Sequence, residues 1–199
     1  MTRDVHRRDL HRVVRVVALL NLAYFGVEWG VAATIGSVSL FADSIDFLED
    51  ASINALILLA LTWNAPRRAL IGKVLAGLIL IPGLATCWMA WQQIGSPAPP
   101  AAMPLALTGA GSLLVNFVCA LMLVRVRHHG GSLSLAAFLS ARNDVLASAA
   151  IILAGVATGV TGLAWPDLIV GIGIALMNAG AAGDVYRAAG QETDATFRA

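Results

Sequence analysis

An all-α membrane protein with six transmembrane helices is the fold class this sequence predicts, and three observations predict it. Of its 199 residues, 58% are hydrophobic and only 13% charged, whereas a soluble domain is about 45–50% apolar and about 25% charged. The apolar residues gather into six stretches, each long enough to cross about 30 Å of hydrocarbon at about 1.5 Å per residue. The basic residues crowd the flanks that would share one side of a membrane.

The first span is expected at 13–35, behind a basic start that carries Arg3, Arg7, Arg8, Arg12 and Arg15. A basic start followed by an apolar run is also how a signal peptide begins. This run is too long for one, contains Asn21 and Glu28, and lacks a convincing cleavage site, so it reads as a retained helix. Gly36-Ser37 separates it from a second span at 38–63, which Asn64-Ala65-Pro66 ends. A third span, 69–94, runs into the loop Gly95-Ser96-Pro97-Ala98-Pro99-Pro100. The fourth is expected at 104–125. Gly130-Gly131-Ser132 leads into the fifth at 133–160, and Trp165-Pro166-Asp167 opens the sixth at 166–188. About eleven residues follow, too few for an independent core, so a single transmembrane domain over 1–199 with no soluble domain is expected. Gly155 with Gly159, and Gly171 with Ala175, have the spacing that marks close helix packing.

Orientation follows from the Lys and Arg residues. Twelve of the thirteen precede the first span, flank the second and fourth loops, or follow the sixth span. The exception is Arg142, inside the fifth span. Both termini are therefore expected in the cytoplasm, with the chain in the inner membrane. A net charge of +1 argues against a nucleic-acid partner. Cys87 and Cys119 are far apart in apolar segments, form neither a disulfide framework nor a thiolate zinc pattern, and read as small hydrophobes.

The acidic residues carry the functional reading. Six of twelve, Glu28, Asp43, Asp46, Glu49, Asp50 and Asp144, fall inside the first, second and fifth spans. A carboxylate near the bilayer centre costs about 2.5–3.5 kcal/mol on insertion scales, so such residues are rare and usually functional. On a helix with a step of about 100°, Asp43, Asp50 and Asn54 point in nearly one direction, with Asp46 about 60° to one side. Glu49 sits at the edge of this stripe. Asp46 and Asp50 are an i, i+4 pair able to share one ligand. A divalent cation between them would let both ionise despite their mutual repulsion, and its binding would then release protons. A polar face lining water or a helix interface is the plainer alternative for the same stripe.

The fifth span repeats the i, i+4 spacing with Ser140 and Asp144, and Asn143 lies beside them. Arg142 points about 160° away from Asp144, toward another helix or the cytoplasm. Two helices that each bring two oxygen ligands one turn apart can build a four-ligand pocket. Three carboxylates and a hydroxyl suit Mn²⁺, Mg²⁺ or Fe²⁺ better than a sulfur-loving metal. Asn21 and Asn116 are amides at membrane depth, open to two roles: lining the same cavity, or bonding between helices. Arg127-His128-His129-Gly130 reads as a solvated loop, with metal sampling as the alternative.

Together these residues resemble the cation diffusion facilitator family. The second span resembles that family's metal-binding helix, here Gly36-Ser37 followed by Ala42-Asp43-Ser44-Ile45-Asp46-Phe47-Leu48-Glu49-Asp50. By this match Asp46 and Asp50 fall on its first metal pair, and Asp144 on its fifth-helix aspartate. Asn21-Leu22-Ala23-Tyr24-Phe25-Gly26-Val27-Glu28 is similar to its first helix, Asn116 to its fourth-helix asparagine, and Pro166-Asp167-Leu168-Ile169-Val170-Gly171 to the start of its sixth. The resemblance implies a cation-efflux transmembrane domain with both ends cytoplasmic. It also implies divalent-cation export by proton antiport through Asp46, Asp50, Asp144 and Ser140, with Asp43, Asn21, Asn116 and Asn143 along the path.

Departures accompany the match. Zinc-carrying members usually present His or Asp at the position of Ser140, and many have His at Asp46. The family's histidine-rich loop and its cytoplasmic metal-sensing domain are expected to have no counterpart, so a homodimer would form through membrane helices, in contact with lipid. No prosthetic group and no enzymatic activity are expected, since neither Asp50 nor Asp144 has the Gly-x-Gly-Asp setting of an intramembrane protease. The competing reading is a non-transporting membrane subunit or sensor that kept the fold and lost the metal cycle.

Overall fold

The computed structural model describes residues 2–60, 65–126 and 131–178, and among them there are six helices and no strand. They are α1 Thr2–Ile35, α2 Val38–Ala60, α3 Ala65–Gly95, α4 Ala102–Val126, α5 Gly131–Thr161 and α6 Trp165–Met177. The expected end of the second span (61–63) and most of the second half of the sixth (179–188) lie outside the described residues. So do Arg127-His128-His129-Gly130, Arg187 and Arg198.

Helix α1 starts well before residue 13. Its polar first turns contain neither Gly nor Pro, so nothing in them stops a helix that the apolar run nucleates. It ends where the expected break lies. Gly36 takes φ of 70°, and its N–H returns to the carbonyl of Ala32 at 2.8 Å, which closes α1 in the left-handed conformation that glycine tolerates best. Ser37 then caps α2: its Oγ accepts the N–H of Leu40 at 3.2 Å. Helix α6 opens with Pro166 in its first turn, where a missing N–H leaves no helical bond unmade.

Among the described residues, three helical stretches are long and apolar enough to cross a bilayer, His11–Ile35, Ala102–Val124 and Asn143–Thr161, and Trp165–Met177 is a shorter apolar helix. The outward faces carry Leu22 and Val27 on α1, Leu114 and Phe117 on α4, and Leu153 and Val160 on α5. Polar side chains turn inward instead. The buried stripe of α4 is Leu105, Thr108, Ser112, Asn116, Cys119 and Leu123, at three- and four-residue steps. That of α5 is Asp144, Ala147, Ser148, Ile151, Ala154 and Thr158. Lipid is as apolar as leucine, so apolar faces can stay outside while polar groups must find partners within.

Helix α2 is the central element, packed against each of the other five. Small residues let its neighbours approach. A Cβ on Gly171 of α6 would fall 2.7 Å from the Ser39 nitrogen and the Val38 carbonyl carbon, and one on Gly155 of α5 would fall 2.9 Å from the Ala106 nitrogen of α4. The spacing of small residues thus marks two close helix contacts, α6 on α2 and α5 on α4.

Candidate cation site

The acidic stripe of α2 is buried as its helical spacing demands. Asp43, Asp50 and Asn54 are all inside, Asp46 and Glu49 half-buried. Across from them, Asp144 of α5 is buried too. The charged group that acts most strongly on Asp144 is Asp50, followed by Asp46, Asp43 and Glu49. Carboxyls of α2 and α5 are therefore within electrostatic reach of one another. They are not drawn into one shell: among the described residues, no group of three or more His, Cys, Asp or Glu is placed to hold a metal ion.

Ser140 lies on α5 one turn before Asp144, and its side chain lies outside the described residues, as does that of Arg142. Asn143 is exposed, one helical step off the buried stripe that contains Asp144. Asn116 donates its amide to Ser148 Oγ at 3.1 Å, an interhelical bond between α4 and α5. Asn21 is fully buried. Its Oδ1 accepts from the Cys119 thiol at 3.9 Å, while its Nδ2 has no partner among the described residues.

Sequence reasoning assigned no role to several residues that complete this region. Ser112 Oγ donates to Asp43 Oδ2 at 2.7 Å and lies 2.8 Å from Ser148 Oγ, whose second contact is the Asp144 carbonyl at 2.7 Å. A line of hydroxyls thus joins α2 to α5 through α4. The signal was present: Ser112 is four residues before Asn116, and Ser148 four after Asp144, the spacing that puts both on faces already marked as polar. Cys119 is within electrostatic reach of both Asp50 and Asp144, so it borders the acidic space rather than merely filling the core. Asn178, at the end of α6, bonds to the Ala42 carbonyl at 3.2 Å and reaches Asp46 as well.

Tyr24 closes the α1 side. Its hydroxyl donates to the Thr108 carbonyl at 2.6 Å, against Gly111, where a Cβ would collide with it. Its ring stacks at a tilt on Phe47, with centroids 5.0 Å apart. The hydroxyl needs this approach to satisfy itself inside an apolar span, and a glycine at 111 provides the room.

Asp167 is the other acid that structure explains and sequence left without a role. Buried in the first turn of α6, it receives Ser37 Oγ at 2.7 Å and Val38 N–H at 2.8 Å, and Ser39 through both its N–H at 3.2 Å and its hydroxyl at 2.5 Å. Two of these donors are free N–H groups at the start of α2, where the helix dipole favours a negative charge.

With this geometry in place, comparison with known families gives one clear result. A model of the cation efflux transmembrane domain matches residues 14–192. Comparison with curated proteins gives no significant match.

Proposed function

Since the chain belongs to the cation efflux transmembrane family, and is thus an integral membrane cation transporter, we propose that it exports a divalent metal cation in exchange for protons. The cation would be held between α2 and α5 by Asp46, Asp50 and Asp144, with Ser140 as a weak or water-mediated ligand. The observation that carries this reading is the burial of Asp144 with Asp50 and Asp46 as its strongest charged neighbours on the facing helix. Carboxyls facing each other in an apolar span repel unless a cation or protons sit among them, and exchange of one for the other follows from that competition.

The separation of these carboxyls fits alternating access. A site not gathered into one shell can close on a cation when α2 and α5 shift, and can be released by the reverse motion. Oxygen donors favour Mn²⁺, Mg²⁺ or Fe²⁺ over a sulfur-loving ion. The reading carries both termini to the cytoplasm, with the chain in the inner membrane.

Purified protein should release protons when a divalent cation is added, and proteoliposomes should pass at least one of Zn²⁺, Mn²⁺, Co²⁺, Fe²⁺ and Cd²⁺. Asp50→Ala should abolish both signals. Full transport by the double variant Asp46→Ala/Asp50→Ala would overturn the assignment.

A further inference from the structure

Beside the proposed cation site lies a second pair of acids. Glu28 of α1 and Asp43 of α2 are both 0% exposed. The Glu28 carboxyl is within hydrogen-bonding range of the Asp43 and Ser112 side chains. Yet neither Glu28 oxygen receives an N–H or O–H from any described residue, and Asp43 Oδ1 receives none either. The single donor among them, Ser112 Oγ, is directed at Asp43 Oδ2. Two buried carboxyls thus lie within reach of each other while three of their four oxygens receive no donor among the described residues.

Buried polar atoms without partners are rare, because each forfeits its hydration with nothing in exchange. Two carboxyls that face each other in an apolar span resolve this in the simplest way when a single proton bonds one to the other. We propose that Glu28 and Asp43 form a proton-binding site separate from the cation ligands, holding one proton between α1 and α2 and surrendering it when a cation binds nearby. The second half of this statement rests on the transport reading above.

The surroundings of the pair suit that role. The other titratable groups whose charge reaches it are Tyr24 on the same helix, Asp46 on α2 and Asp144 on α5. A divalent cation arriving at Asp46 and Asp144 places positive charge next to two carboxyls, which favours their ionised forms and expels the shared proton. The hydroxyl line from Asp43 through Ser112 to Ser148 ties the pair to the Asp144 turn of α5, so the two sites are joined by bonds as well as by field. The α2–α5 acids exchange their own protons for the cation, and the α1–α2 pair adds one more proton to that exchange.

The test is titration calorimetry of the purified full chain with Zn²⁺ and Mn²⁺ in buffers of different ionisation enthalpy, which counts protons released per cation bound. Glu28→Gln keeps the size of the side chain and removes the exchangeable proton. The expected result is retained cation binding with about one proton fewer released than by wild type. Equal proton release in the two proteins overturns the inference, as does loss of cation binding in a Glu28→Gln protein that still elutes as wild type does. Absence of binding by wild type would instead overturn the transport reading. Infrared spectroscopy gives a second readout independent of cation binding: the protonated-carboxyl carbonyl band of wild type should change in Glu28→Gln and persist in Asp50→Asn. A band unaltered by Glu28→Gln places the protons elsewhere and ends the proposal.

Discussion

Asp167 and Glu28 are both acids buried within the bundle, and the protein treats them in opposite ways. Asp167 is met by four donors from three consecutive residues at the head of α2. Glu28 is met by none among the described residues. A carboxylate saturated with donors at a helix N-terminus is stabilised in one charge state and in one place, which makes it a latch. A carboxyl left with only another carboxyl for company can be satisfied by a proton or a cation, and so can change state. The comparison separates acids that hold the fold from acids that serve exchange.

The largest effect expected from this contrast is at Asp167. Asp167→Ala would strand the Val38 and Ser39 N–H groups and two serine hydroxyls away from water. Each buried donor left without an acceptor costs about 1–3 kcal/mol, and four are stranded together here. Thermal unfolding in detergent should show this as a marked fall in melting temperature, and Asp167→Asn, which keeps one acceptor oxygen, should fall in between. An Asp167→Ala protein as stable as wild type would break the comparison at its firmer end.

A smaller effect is expected at Ser112, which bonds to one acid of the exchanging pair. Its hydroxyl is the donor that Asp43 does have, and it also links α4 to Ser148 of α5. Ser112→Ala removes both bonds and leaves a buried acceptor unmet, a loss of about 1–3 kcal/mol. The same melting assay should rank it between Asp167→Ala and wild type. A loss as large as that of Asp167→Ala would mean that Asp43 is also a latch, and the line between the two classes would have to be redrawn.

How much of this could be read from residue order alone depends on how far apart the partners lie. The six helices and the break at Gly36-Ser37 follow from apolar runs and turn residues, all local signals. The α2 stripe was equally legible, because Asp43, Asp50 and Asn54 share a face by helical spacing alone. Helix α1 runs on ahead of its apolar span because a polar segment without a helix breaker simply continues the helix. The donors to Asp167 come from 128 to 130 positions away, and only the docking of α6 on α2 at Gly171 brings them together. The bonds of Ser112 and Ser148 depend on α4 packing against α5, which brings Ser112 to Asp43 of α2. Nothing in the sequence separates Asp167 from Glu28, since satisfaction is a property of the neighbours and not of the residue.

Glu28→Gln should have the smallest effect on stability, for a reason opposite to that at Asp167. No described N–H or O–H group bonds to Glu28, so the substitution loses only the bond made by the shared proton, and the new amide N–H can replace it by donating to Asp43 Oδ1. Against this stands the second amide hydrogen, which enters the apolar span with no acceptor assigned to it. The two terms are each about 1 kcal/mol, so the melting temperature should stay close to that of wild type. The result sharpens the contrast because the same change that leaves the fold intact is the one that should remove a released proton. A Glu28→Gln protein destabilised as severely as Asp167→Ala would show that Glu28 is held by bonds after all. A group held that way belongs with the latches rather than with the acids that exchange.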